Sequence, residues 1–388
     1  MGRVLDVGAA GEITARRAAV LARALERLRP RLRIAVVYGG NPDAPGAVMC
    51  RTYNPRPWKS YEVVARDIAG ALGGLGFPGV EAFPEDKHLS GRLAVFAPDL
   101  VWLNTAGVQG DAPMAQAPAL LEMLGLPYVG PNPLNAAVLD AKHVCKTQLQ
   151  GLGLPTAPFA TWGEGDRDGL AAILPGYAGP FVVKPVHGRA SLHVEIAETR
   201  ADLPRVAAAV TAKSGALALI EPYLGGAEYC VSVIGPVVCR GGAVETTGGP
   251  FTFSAIERRL APGERIAPSI DCKPVTAESY RLLSGPGDAA TRAEILAIAA
   301  TIYRRMRLES VVRVDLRRDG DGRMMVLEAN PKPDLKRPDG KTTSLVSAGL
   351  AEQAMCYQDL ILSILANRIS DYLFRIPKAA PRLMEMVQ

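Results

Sequence analysis

The sequence predicts a parallel α/β layer followed by α+β units. Three observations predict it. Apolar strands alternate with amphipathic helices up to about residue 131. Beyond residue 135 the strands cluster without that alternation. Late in the chain, at 311–331, VVRVDLRRDGDGRMMVLEANP holds two apolar runs with charges inside them.

Taken in order, residues 13–29 repeat Val20, Leu21, Ala24, Leu25 and Leu28 at helical spacing, with Pro30 as the stop. LRIAVVYGG at 32–40 is a short apolar run ending in two glycines, hence a buried strand and a loop. A helix at 60–73, a strand at 99–104, a helix at 113–125 and LPYVGP at 126–131 continue the alternation. FVVKP (181–185), LALIEPYL (217–224) and AEYCVSVIG (227–235) are strands of the second part. The stretch 241–288 is rich in Gly, Pro and Ser and reads as loops and short strands, a candidate mobile cover. Helices are expected at 288–307 and 349–367, with a loose tail from Lys378 onward.

Composition narrows the function. The 388 residues exceed one small core, so about two to four domains or subdomains are expected. Hydrophobic residues make up 48% and charged residues 21%, the balance of an ordinary globular protein. The formal charge of +5 is spread along the chain with no like-charge block, which argues against nucleic-acid binding. Cys50, Cys145, Cys230, Cys239, Cys272 and Cys356 lie far apart, with no zinc spacing, so reduced thiols are expected. No secretory leader and no membrane-length apolar run is seen, and a cytoplasmic protein is expected.

Asp321-Gly322 is a two-residue hairpin signal between the apolar runs of 311–331. Counting outward from that turn, Asp315 falls opposite Glu328 and Arg313 opposite Asn330, all on one face. Opposed residues have Cβ atoms about 4.5–5.5 Å apart, so the two carboxylates need a positive group between them. Arg313 is one candidate. A divalent metal is the other, since Asp, Glu and Asn oxygens are hard ligands suited to Mg²⁺ with substrate phosphates. An ordinary hairpin with a salt bridge is the bland alternative.

A phosphate-bearing cofactor also needs cations. Lys184 ends the apolar FVV run beside the loop VHGRASLHV, and Lys142 lies near a helix start. The Walker-type phosphate loop is absent, and no glycine fingerprint for dinucleotides follows a strand. In IEPYLGGAEY (220–229), Tyr223 can wall a flat base and Glu228 can accept from ribose hydroxyls.

Together these segments resemble the ATP-grasp superfamily, and within it the D-alanine–D-alanine ligase-like branch, from about residue 32 to 350. LLEMLGLPYVGPNPLNAAVLDAKHVCKTQLQGLGLPTAPF (120–159), FVVKP, LIEPYLGGAEY, VVRVDL and VLEANP follow in family order. The resemblance implies an ATP-grasp fold, with a Rossmann-like domain expected at 31–135 and two α+β subdomains, 136–225 and 226–388, clasping ATP; the helix read at 13–29 makes 1–30 a helical extension before them. It implies phosphate contacts for Lys142, Lys184 and Ser191, and an adenine hinge at Glu221, Tyr223 and Leu224, with Glu228 on ribose. It implies Mg²⁺ ligands at Asp315, Glu328 and Asn330, and Arg313 on the charge developing in acyl transfer. Asn104, Lys332 and Ser344 are the substrate-binding candidates.

The departures lie on the acceptor side. No Glu follows Gly39-Gly40, where the family holds an amine; the run is NPDAPGAVMCRTYNPRPWKSY. Ala106 stands at an acid's place in NTAGVQG, GRASLH replaces a Gly-Ser-Ser loop, and PKPDLKRPDGKTTS after Asn330 is long and basic. The expectation is an ATP- and Mg²⁺-dependent carboxylate–amine ligase on an amino-acid-like substrate other than D-alanine. A D-alanine–D-alanine ligase, an ATP-grasp kinase and a non-catalytic nucleotide-binding regulator stay open. Partners are a small carboxylate and a small amine, with a homodimer also open; no nucleic acid or membrane is expected.

Overall fold

The computed structural model describes residues 7–40, 59–164, 170, 173–189, 191–266 and 274–388, with backbone alone at 7–13 and 59–60. Its first unit is a parallel sheet of four strands in the order β2-β1-β3-β4. Helix α1 (Val7–Leu28) leads into β1 (Arg33–Gly39), whose run Ile34–Val37 is fully buried. Helix α2 (Lys59–Gly74) returns the chain to β2 (Gly79–Glu85), and α3 (Leu89–Phe96) to β3 (Leu100–Asn104). Helix α4 (Pro113–Met123) opens with Pro at its first turn, where no intrahelical N–H is needed. It precedes β4 (Tyr128–Val129). The sequence expectation lacked β2 and α3. Strand β2 is a half-buried edge strand containing Pro84, and α3 is only 8 residues long, so neither shows a clear apolar period.

Helices α5 (Pro133–Asp140) and α6 (Lys142–Gly151) carry the chain into a second sheet. This is antiparallel, β5-β8-β6-β7, from β5 (Ala160–Trp162), β6 (Phe181–Pro185), β7 (Glu195–Ala197) and β8 (Ala218–Pro222). Helix α7 (Leu203–Ser214) packs Leu203, Val206 and Val210 against Phe181 and Val183.

The third sheet is five-stranded and antiparallel, β13-β12-β9-β14-β15. It holds β9 (Glu228–Ile234), β12 (Phe251–Arg258), β13 (Tyr280–Leu282), β14 (Val312–Arg318) and β15 (Met324–Asn330). Hairpin β10 (Val237–Arg240) and β11 (Ala243–Thr246) stands apart. Helix α8 (Ala289–Arg305) buries Ile295, Ala299 and Ile302 against β9, β12 and β14. The stretch 241–288, expected as loops and short strands, holds β11, β12 and β13. Residues 251–258 form an inner strand, held by Phe253 and Ile256 in the core, and 267–273 lie outside the described residues.

Two further expectations change near the end. The helix expected at 349–367 is α9 (Tyr357–Phe374). Gly349 packs so closely that a Cβ there would lie 2.6 Å from Ser254 Cα, and Asp359 caps the Cys356 N–H at 2.9 Å, fixing the later start. The tail is not loose: α10 (Pro381–Val387) buries Leu383, and Arg31 donates to the Met386 carbonyl at 2.6 Å. One core joins these parts. Leu21, Leu25 and Leu28 of α1 pack with Ile34, Val36, Ile361 and Leu365. The Tyr372 hydroxyl accepts from the Tyr128 N–H (2.8 Å) and donates to its carbonyl (3.2 Å), and Arg368 donates to the same carbonyl (2.8 Å). No described helix is long and apolar enough to cross a membrane.

Candidate active site

The hairpin of β14 and β15 pairs Arg313 with Asn330 and Asp315 with Glu328, the register expected at the site. The turn itself differs. Asp319 N–H donates to the Arg323 carbonyl (2.9 Å), so the loop has one more residue than a two-residue turn, with Gly322 at φ +81°. A bulge then places Leu316 opposite Val326, which leaves Leu327 unpaired. The two one-residue offsets cancel, and the four polar side chains share one face.

Arg313 closes a two-pronged fork on Asp315, Nε to Oδ1 and Nη2 to Oδ2, each 2.7 Å. Burial opposes its charge, but Asp315 more than compensates and raises the guanidinium pKa. Asn330 Nδ2 donates to Asp315 Oδ2 (3.0 Å) and Glu328 Oε1 (3.2 Å), tying the two carboxylates together. Lys142 Nζ lies 3.5 Å from Glu328 Oε2 and donates to the Gly188 carbonyl at 2.5 Å. Burial pushes the Glu328 carboxyl up, but Lys142, Lys184 and Arg313 outweigh it and hold it below the usual range.

Behind this face lies a lysine cluster. Glu221, 2% exposed, takes Lys184 Nζ at 2.5 Å and Lys146 Nζ at 3.0 Å. Burial alone would raise its pKa; the two ammoniums bring it down to about 2. The Glu221 side chain thus grips the two lysines. Lys146 was not singled out by sequence, although it follows Lys142 by one helical turn with Cys145 and Leu149 on the same buried face of α6. Such a lysine reads as solvated unless its burial is known.

The far end of the cleft also differs in detail from expectation. Tyr223 lines it with Leu224, but its ring carries the Arg265 and Arg317 guanidiniums at 4.4 and 5.0 Å. Glu228, 7% exposed, pairs with Arg258 at 3.1 Å and Arg317 at 3.5 Å. Burial pushes its carboxyl up against the pull of both arginines. Arg258 and Arg317 are residues the sequence did not flag. Each sits in a charged run near a strand's end, Glu257-Arg258-Arg259 and Arg317-Arg318-Asp319, which looks like a solvated face. Lys146 and Arg265 apart, these groups border one cleft of about 1280 Å³, mouth included, together with Ser191 and Lys332.

Comparison with known proteins agrees with this layout. A family model described as the D-ala D-ala ligase C-terminus matches residues 148–366. A D-alanine–D-alanine ligase of Chromohalobacter salexigens is 30% identical over 341 residues, 86% of this chain and 93% of that one. The chain belongs to the D-Ala–D-Ala ligase family. An uncharacterised protein of Sinorhizobium fredii is 28% identical over 80% of this chain and 88% of its own. Among solved structures, the D-alanine–D-alanine ligase of Bacillus anthracis complexed with ATP superposes with a TM-score of 0.62 at 19% identity. It covers 87% of this chain and 97% of that one. The VanG D-Ala:D-Ser ligase of Enterococcus faecalis gives 0.61 at 14% identity, covering 87% and 99%. These likenesses show the ATP-grasp fold.

Within this family member, two expected substrate residues fall outside the cleft. Asn104 is 2% exposed and donates its amide to the Tyr61 carbonyl at 2.9 Å. Ser344 is fully buried, and its hydroxyl serves Ser347, accepting from its N–H at 3.1 Å. Of the four cations after Asn330, only Lys332 borders the cleft, 3.5 Å over the Tyr61 ring. Lys336 pairs with Asp339 at 3.2 Å, while Arg337 and Lys341 are exposed. In the loop GRASLH, Arg189 bonds Asp140 at 2.6 Å and Ser191 sits at φ +56°. Most of the long run after Gly40, 41–58, and Ala190 lie outside the described residues.

The face of the ligase hairpin fits a magnesium ion. Two carboxylates on neighbouring strands, already joined through one amide, are a hard oxygen set of the kind that takes Mg²⁺ beside phosphate oxygens. Among the described residues no group of three or more His, Cys, Asp or Glu side chains gathers to hold a metal ion, and Asn330 turns its Nδ2 toward both carboxylates.

Proposed function

We propose that this chain, an ATP- and Mg²⁺-dependent, ADP-forming carboxylate–amine ligase, acts on an amino-acid-like substrate other than D-alanine. The observation that supports the specificity is Lys332, which brings a cation to the cleft two residues beyond Asn330. A substrate with an additional negative group fits that position. The relatives named D-alanine–D-alanine ligase support the reaction class.

In this reading a substrate carboxylate attacks the γ-phosphate of ATP, giving an acyl phosphate and ADP, and an amine then displaces phosphate to form the amide. Lys142 and Lys184 exchange their present protein partners for phosphate oxygens. Mg²⁺, held by Asp315, Glu328 and Asn330, offsets phosphate charge when bound. Arg313 faces the developing oxyanion, fixed by the Asp315 fork so that little reorganisation is needed. Catalysis is then mainly positioning and charge neutralisation.

The test is ADP and phosphate release with a panel of D- and L-amino acids, acidic ones included, with and without amines. Release that requires an amine marks the ligase; phosphorylated product without amine marks a kinase; nucleotide binding without ADP marks a regulator. Turnover with D-alanine alone that matches or exceeds the acidic candidates would sink the proposed specificity.

A further inference from the structure

Strand β14 sends alternate side chains into the cleft. Val312, Val314 and Leu316 pack into the core with α8, so Arg313, Asp315 and Arg317 share the opposite face, and all three border the cleft. Arg313 and Asp315 belong to the metal and acyl-transfer end. Arg317 lies one step further along, about 7 Å from Asp315 at the rise of an antiparallel strand. It stands directly across from Glu228 of β9 and has no part in phosphate transfer.

Its guanidinium is held by the edges. Nε donates to the Gly226 carbonyl at 3.1 Å, Nη1 to the Arg265 carbonyl at 2.9 Å, and Nη2 to the Tyr223 hydroxyl at 3.1 Å. Nη1 also lies 3.5 Å from Glu228 Oε2. The donors of a guanidinium lie in its plane, so all three nitrogens are committed to the protein edge-on. The faces remain. One covers the Tyr223 ring, 5.0 Å from its centroid. Since Arg317 also borders the cleft, its second face is the surface it presents there.

The neighbouring polar groups are engaged as well. The Tyr223 hydroxyl donates to the Arg265 carbonyl at 3.3 Å, and Glu228 Oε1 takes Arg258 at 3.1 Å. Val182 and Leu224 add apolar walls, and Pro222 has no N–H to offer. A flat base entering this end meets the plane of a cation between apolar walls. Side chains that read base edges separate adenine from guanine, because one carries a donor where the other carries an acceptor. A face does not separate them, since every base has a π-surface. Arginine suits this role through its planar, weakly hydrated charge, which lysine lacks.

We propose that Arg317 is the platform on which the nucleobase stacks, and that this enzyme therefore accepts purine nucleoside triphosphates as a class, GTP and ITP beside ATP. This rests on the reading of the cleft as the nucleotide site of a ligase.

The experiment measures nucleoside diphosphate release by the full chain, with its best acid and amine, from ATP, GTP, ITP and 7-methyl-GTP, whose methylated base is positively charged. In kcat/KM, GTP and ITP should lie within tenfold of ATP. 7-Methyl-GTP should fall at least tenfold below GTP, because a cation repels a cationic base laid on its face. Arg317→Met should close that gap to within threefold and raise KM for GTP at least fivefold. Arg258→Met removes the neighbouring cation on Glu228 but not the platform, and should leave the gap above fivefold. A merely structural role for Arg317 would weaken all four nucleotides together and keep the wild-type ratio, which overturns the proposal. So does a preference for ATP over GTP beyond tenfold, or the same collapse of the ratio in both variants, the mark of a diffuse charge effect. If Arg317→Met does not fold, Arg317→Gln, which keeps donors for the two carbonyls, takes its place. If no acid gives nucleoside diphosphate with the wild type, the ligase reading fails separately. Equilibrium binding of ADP, GDP and 7-methyl-GDP with Mg²⁺ then decides this one by the same ratios, and absence of binding by all three overturns it.

Discussion

Replacing Glu221 with glutamine should destabilise the protein through the two lysines it leaves behind. Its carboxylate sits between Lys184 at 2.5 Å and Lys146 at 3.0 Å, all three nearly inaccessible to water. The carboxyl pKa falls from 4.5 in the free group to about 2. At about 1.4 kcal/mol per pH unit, that corresponds to roughly 3 kcal/mol of folding free energy. The sign follows from the depressed pKa: the stabilisation is present above pH 4.5 and fades as pH falls toward 2. Breaking one side of a buried ion pair costs a similar amount, about 3–5 kcal/mol. Thermal unfolding at pH 7.5 should therefore drop by roughly 6–12 °C in Glu221→Gln, at about 2–4 °C per kcal/mol. The variant should also lose the acid limb of its stability curve between pH 4.5 and 2. MgATP should narrow the gap to wild type in part, because phosphate oxygens take the place of the missing carboxylate beside Lys184, which borders the cleft. A drop under 2 °C with an unchanged acid limb would refute the view that Glu221 is the counterion of this cluster.

Four other outcomes are expected. Lys184→Ala should raise KM for ATP at least tenfold with little change in circular dichroism, since Lys146 still neutralises Glu221; an unchanged KM and rate would remove Lys184 from the nucleotide site. Glu328→Gln should need at least tenfold more Mg²⁺ for half-maximal activity, and wild-type behaviour at low Mg²⁺ would leave the hairpin a purely structural element. Deleting Leu327 removes the bulge but keeps Asp315 opposite Glu328 and Arg313 opposite Asn330, so ADP release should stay within about tenfold of wild type; a larger loss with helix content intact would show that the bulge itself aims these side chains. Glu85 has a raised pKa, about 7 against 4.5, so its contribution to stability is full below pH 4.5 and is lost as pH rises through 7. Glu85→Gln should gain on wild type by about 3 kcal/mol between pH 5 and 8.5 in denaturant titrations, and parallel curves would contradict that burial.

What could be read from the sequence was whatever repeats locally. Buried strands such as 33–39 and 312–318 show as apolar runs, and Asp-Gly marks the hairpin turn. The facing of Arg313, Asp315, Glu328 and Asn330 was obtained from a turn one residue too short, rescued by a bulge that no local pattern announces. Other features depend on distant partners. Lys146 looks like a surface lysine until Glu221 arrives from β8. Tyr223 looks like a bare aromatic wall until Arg317 arrives from β14. Glu85 looks like a solvated acid until Thr105, at the end of β3, donates to it in a buried setting. Strand β12 hid within a Gly- and Pro-rich stretch because its inner position is set by β9, not by its flanks.

The core shared by α1, the parallel sheet and α9 has a consequence for synthesis. Tyr128 waits for Tyr372, 244 residues further on, and Arg27 for the carbonyl of Gln388, 361 residues on. At about 5–20 residues per second, a ribosome takes roughly 12–50 s to cover the first of these intervals. During that time the sheet has left the exit tunnel with the apolar face that α9 covers still bare. A nascent chain of this shape offers chaperones a defined target and a defined moment of release. It also makes slow codons between 131 and 357 a more sensitive place for misfolding than the same codons after 374.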